Sequence, residues 1–282
     1  MQHLLLATFL LFSPPTDDAV ERMKGALRAG KVDEAIKAGE DASKGASDRS
    51  VLQQWLGKAY AVKAQQASLF TALGWAKKSR TAFERAFELD ASNTDAGLDL
   101  LEFYVLAPGV AGGSKEKAKA LAQKIGTDGS SRRSLASAMV LQSEKMSSEA
   151  EAAYRKALES DALDDRAFIG FVNFCASEKR FAEAVEWCKG RLAARPDEPL
   201  PNYAIGKLVV LWGQEYEQGL ACLDKFLAKA AKPDGPTWAD ARFRKGQIFE
   251  KLGRKEEARA EFKSALQLNP GHGGATRELK KL

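Results

Sequence analysis

Small residues return along this chain at a stride of about 34 positions, and that stride dictates the fold more than any other feature. The C-terminal window shows it most fully, with Gly246, Phe249, Gly253, Ala258, Phe262, Ala265 and Pro270 in order. Gly246, Ala258 and Ala265 let two antiparallel helices approach closely, while Phe249 and Phe262 fill the space between that pair and its neighbours. Gly253 falls where the chain turns between the two helices, and Pro270 ends the second.

Moving back by the stride recovers the pattern. Ala138, Leu141, Ala150, Tyr154 and Ala157 repeat it from Ser131, and Val172, Cys175, Ala184, Cys188 and Pro196 repeat it from Asp165, with Arg191 replacing the third small residue. The hairpin starting near Pro199 carries Gly206, then Gly219, Leu223 and Phe226 shifted by one position. Earlier hairpins start near Thr94 (Leu101, Tyr104, Ala118), near Ser50 (Trp55, Leu56, Gly57, Tyr60) and near Thr16 (Gly30, Ala35).

This arrangement resembles the tetratricopeptide repeat. The matching positions are the small residue at the eighth, aromatics at the eleventh and twenty-fourth, Ala at the twentieth and twenty-seventh, and Pro at the thirty-second. The family's Trp at the fourth position is mostly missing. The resemblance implies an all-α solenoid of about seven stacked helix-turn-helix hairpins in a right-handed superhelix, spanning residues 16–272, with a capping helix over 273–282. Ala107-Pro108-Gly109 and Gly112-Gly113-Ser114, following Phe103-Tyr104, also look like a set of exported bacterial repeat proteins of unassigned role.

Two hairpins exceed the stride. The second carries about ten extra residues, at about 61–75, with no proline among them, so both of its helices are expected to run one or two turns longer. Its tip holds Leu69, Phe70, Leu73 and Trp75. The preferred reading packs Phe70, Leu73 and Trp75 on Pro108 and Val110; the alternative is an apolar knob for a partner or a second copy. The third hairpin is extended at about 105–114, where Gly112 and Gly113 allow a turn and Ser114 caps the next helix. That glycine-rich loop lacks the G-x-x-x-x-G-K-[ST] pattern and a preceding strand, so a phosphate site is the minor reading.

The N-terminal Leu4–Phe12 run is almost wholly apolar and is followed by Ser13-Pro14-Pro15. As a helix it would extend only ~14 Å, too short for a hydrocarbon core of ~30 Å. Residues 1–15 are therefore read as an export signal, which places the mature chain in the periplasm or outside the cell without a membrane span. The competing reading is an apolar segment packed on the first hairpin.

Catalysis finds no support. The chain has 2 histidines, His3 and His272, and no H-E-x-x-H, G-x-S-x-G or calcium-loop pattern, so no enzyme activity, cofactor or metal is expected. Cys175, Cys188 and Cys222 lack C-x-x-C spacing; Cys175 and Cys188 could pair across one hairpin, but buried thiols are preferred. The net charge of +5 is spread among alternating acidic and basic residues, with no basic block to track a nucleic acid.

The family resemblance places partner contacts at the second, fifth and ninth positions of each first helix. Carried over, these are Gln54 and Lys58, Leu98 and Glu102, Arg132 and Met139, Arg166 and Asn173, Tyr203 and Lys207, and Phe243 and Gln247. Such a mixture suits a protein or peptide segment. The two-carboxylate clamp of co-chaperone repeats is only fragmentary, with a basic cluster at Arg242, Arg244 and Lys245 but no Lys/Asn pair in consecutive hairpins. The expected function is a protein-binding scaffold. Self-association through the second-hairpin knob and binding of a small anionic ligand are the alternatives.

Overall fold

The computed structural model describes residues 15–46, 49–229 and 235–282, so the export-signal reading lies outside the described residues. Among them the regular structure is helical, with no strand. Helices pair in sequence as antiparallel hairpins. The first four pairs are α1 (Pro15–Arg28) with α2 (Val32–Ala46), α3 (Ser50–Gln66) with α4 (Leu69–Leu89), α5 (Thr94–Leu106) with α6 (Lys115–Ala122), and α7 (Ser131–Ser143) with α8 (Ser147–Ser160). Then follow α9 (Asp165–Ser177) with α10 (Phe181–Ala194), α11 (Pro199–Trp212) with α12 (Tyr216–Leu227), and α13 (Trp238–Lys251) with α14 (Lys255–Leu268). The short α15 (Gly273–Leu279) closes the array, burying Ala275 against the last pair.

Glycine makes the hairpins tight. A Cβ on Gly246 would stand 2.5 Å from a ring carbon of Phe262, and one on Gly206 would stand 2.3 Å from Cγ of Leu223. Those approaches are below any van der Waals contact, so the helix pairs hold their separation only because no side chain intervenes. First helices also touch first helices in order, α3 on α5, α5 on α7, α7 on α9, α9 on α11 and α11 on α13. They form the inner layer of a solenoid, and second helices form the outer layer.

Local chemistry sets where the inner helices start. Asn93 accepts from the Ala96 amide at 3.0 Å, Ser130 from Arg133 at 3.2 Å, and Asp164 from Arg166 and Ala167 at 2.9 and 3.1 Å. Each cap satisfies amides that the first turn leaves unpaired. Thr237 and Asp240 form a reciprocal capping box on α13.

Both insertions have definite shapes. α3 has 17 residues and α4 has 21, against 13 to 15 in most other helices of the array, so the second hairpin is lengthened as helix. The third-hairpin insertion forms a 3-10 turn, Gly109–Ala111, and Ser114 caps α6 by accepting from the Lys117 amide at 3.2 Å. The expected packing of Phe70, Leu73 and Trp75 on Pro108 and Val110 is corrected. Phe70 is 97% exposed and Val110 75% exposed, whereas Trp75 turns inward to Tyr60, ring centroids 5.8 Å apart. The lengthened helix carries Trp75 back along its own hairpin, and Lys78 lies 4.7 Å over its ring. Of Leu69 only the helical backbone is described.

Candidate functional site: the concave groove

The inner helices enclose a groove of about 950 Å³, near the upper end of the roughly 300–1,000 Å³ that ligand pockets occupy. The ninth residue of five successive inner helices lines it, namely Lys58, Glu102, Met139, Asn173 and Lys207. Arg132, Arg166 and Tyr203 line it as well. Four residues expected there are elsewhere. Gln54 is buried beneath the charged wall, and Phe243 packs within the last hairpin on Phe262 and His272, at 5.8 and 4.7 Å. Gln247 accepts from Arg244 at 2.7 Å and does not line the groove. Leu98 is wholly buried. The fifth position faces the groove only in α7, α9 and α11, as Leu135, Ile169 and Tyr203.

One end of the groove is a cluster of ion pairs. Arg166 donates to Asp99 at 2.9 Å and to the Asp95 carbonyl at 3.3 Å, and it approaches Glu102 at 3.8 Å. Arg132 bridges Asp95 at 3.1 Å and Asp164 at 3.4 Å. Lys58 sits 3.4 Å from the Asp99 Oδ2, which also accepts from the Gln54 amide at 2.7 Å, while Arg166 takes Oδ1. Burial pushes the Glu102 carboxyl above its ordinary value, against the pull of the Arg166 charge. The second-position Asp95 and the sixth-position Asp99 are the residues that sequence reasoning missed. Asp95 holds the same second position as Arg132 and Arg166, and applying that rule to α5 finds it.

Toward the other end two cations stand without an ion-pair partner, although the Asp240 charge acts on the same Tyr203 hydroxyl that Arg244 faces. Lys207 donates to Asn173 at 2.9 Å, and no carboxylate among the described residues pairs with it. Burial, reinforced by the nearby Arg244 charge, lowers its affinity for a proton. Arg244 is likewise without an acidic partner, and its Nε is buried with no acceptor. Its neighbours in the basic cluster differ: Arg242 pairs with Glu261 at 3.1 Å, and Lys245 with Asp224 at 2.6 Å. Arg244 alone is turned toward Tyr203, whose hydroxyl burial holds protonated. Between the two ends the wall is apolar, formed by Met139, Ile169, Val172 and Tyr203, the last tilted against the Phe226 ring at 5.3 Å.

The three thiols are free and buried. Burial pushes Cys175 up to about 11 and Cys188 up to about 12, and raises Cys222. None lines the groove.

Two family models described as the tetratricopeptide repeat match the chain, at residues 141–199 and 239–272. No curated protein matches it. Among solved structures, a tetratricopeptide repeat protein from Parabacteroides merdae aligns with a TM-score of 0.54 and 15% identity, covering 94% of this chain and 98% of that one. Yeast Tom70 aligns with a TM-score of 0.62 and 14% identity, covering 99% of this chain and 58% of that one. At these identities the likeness concerns the fold.

Proposed function

This chain belongs to the tetratricopeptide-repeat family, and from that premise we propose that it is a non-catalytic scaffold whose concave groove holds a segment of a partner protein. The observation that carries the reading is the run of ninth-position side chains along the groove, passing from charged to apolar and ending at Lys207, which bonds Asn173 and has no carboxylate partner among the described residues. The segment has apolar side chains against Met139, Ile169 and Tyr203, and an acidic group toward Lys207 and Arg244. A carboxylate there replaces water around cations that burial has already stripped of part of their hydration.

Peptide display on the full chain tests this. The wild type should enrich sequences with apolar residues beside Asp or Glu. A Met139→Ala/Tyr203→Ala variant should lose them, and a Lys189→Ala variant on the outer layer should keep them. Equal retention by the groove variant would refute the groove. Enrichment without acidic residues would leave the groove standing and remove the acidic preference. Loss of peptide binding together with saturable binding of inorganic phosphate would favour the small-anion reading.

The compartment we assign is the periplasm or the exterior, on the Leu4–Phe12 run alone. Mass spectrometry of the mature N-terminus tests it, since cleavage between about residues 13 and 18 is required for a signal of this length. The second reading, self-association, draws on the exposed Phe70 and Leu73 at the α4 start. Light scattering of wild type against Phe70→Glu decides it, and a wild-type monomer removes it.

A further inference from the structure

The turn of the first hairpin lies against the end of the last. Gly30 reverses the chain between α1 and α2 at a φ of +71°, and a Cβ there would stand 1.7 Å from the side-chain oxygen of Asn269. Only a bare Cα leaves room for that amide. Gly271 faces the same place, its Cβ position 3.1 Å from the Gly30 carbonyl oxygen and 3.6 Å from the Gln66 amide nitrogen. Asn269 is held in position by the Gly271 amide, which donates to its side chain at 2.9 Å. Residues from the first two hairpins therefore meet residues that follow the last pair. The array has come round a full turn.

The contact is small and made by backbone and amide groups, with no large apolar residue in it. Contacts of that kind open at low cost compared with global unfolding. The hairpins that carry Gly30 and Gln66 also have their own core, from Val20 to Ala82, separate from the main core that runs from Phe83 to Ile248. On the inner layer their seam with the third hairpin is crossed by polar bonds, Gln54 to Asp99 at 2.7 Å and Asn93 to Ser50 at 2.9 Å. On the outer side α4 also lends Phe83 and Phe87 to the main core, so the seam is apolar there and polar on the inner face.

We propose that contact of Gly30 and Gln66 with Asn269 and Gly271 closes the solenoid into a ring, and that this contact is the gate to the groove. With the gate shut the groove is reached only along the ring axis, so a free peptide end threads in. A segment flanked by folded domains enters only when the gate opens. This second half rests on the groove being the partner site.

The test uses the full chain with Lys31→Cys and Pro270→Cys, exposed positions that flank the contact without forming it, joined by a short bis-maleimide. The native thiols are buried with raised proton affinity and do not compete. Closure predicts an intrachain link formed more than about tenfold faster than the dimer-forming reaction of either single-cysteine variant. Gly30→Ala in the double-cysteine chain should lower that yield, because its Cβ displaces Asn269. Absence of an intrachain product would overturn closure. The peptide recovered by display is then offered free-ended, or as a loop between two folded domains. Unlinked protein should bind both and linked protein only the free peptide; equal binding of both by linked protein would overturn the gate. If unlinked protein binds neither, the groove reading fails, while the linking yield still decides closure.

Discussion

Arg166 on α9 donates to Asp99 on α5 at 2.9 Å, spanning two hairpins that do not adjoin in sequence. The bond ties the curvature of the inner layer to the charge of its wall. Asp99 is almost enclosed and also holds Gln54 and Lys58. Arg166→Ala should therefore cost about 1.5–3 kcal/mol, the range for hydrogen bonds to charged groups, because the enclosed Asp99 loses its charged donor at 2.9 Å. Asp99→Ala/Arg166→Ala should recover part of that loss, since no enclosed charge is then left alone. Urea unfolding of the single and double variants measures both.

Lys145 and Lys179 turn their hairpins with φ of +63° and +60°, the conformation Gly30 and Gly253 adopt without a side-chain penalty. A Cβ in that region costs roughly 1–2 kcal/mol, and glycine returns about half through the freedom of its unfolded chain. Lys145→Gly and Lys179→Gly should each stabilise by up to about 1 kcal/mol, and the two should add. Thermal unfolding reads the gain as a rise in Tm.

Glu151 on α8 is held at about 2, well below its ordinary 4.5, first by the Arg180 hydrogen bond at 2.6 Å and then by Arg155, with burial opposing both. Because the folded-state value is depressed, its stabilising share is complete above about 4.5 and disappears as pH falls toward about 2. Glu151→Gln should lower stability at neutral pH and flatten the acid limb in that window, with little difference remaining near its lower end. Denaturant titrations across the window test the sign.

The stride was legible because close helix approach tolerates only Gly or Ala, so Gly206 and Gly246 announce themselves whatever surrounds them. The ninth-position lining was legible for the same reason, since the hairpin repeats its own orientation. The fifth position was not. Gln54 and Phe243 were displaced by polar packing against Asp99 in one case and by His272 in the other. The Asp95–Asp99–Arg166 wall escaped because a carboxylate on a helix is by default solvated, and only superhelical curvature brings α5 beside α9. Trp75 misled because apolar residues in an insertion suggest contact with the nearest other insertion, whereas a lengthened helix returns them to its own partner helix.

The inner layer is the place proposed to hold a partner. Hydrogen–deuterium exchange of the full chain, with and without the peptide recovered by display, tests that most directly. Protection is predicted along α7, α9 and α11, around Met139, Asn173 and Lys207, with α8 and α10 unchanged. Protection confined to the outer helices, or to the exposed tip at Phe70, would contradict it.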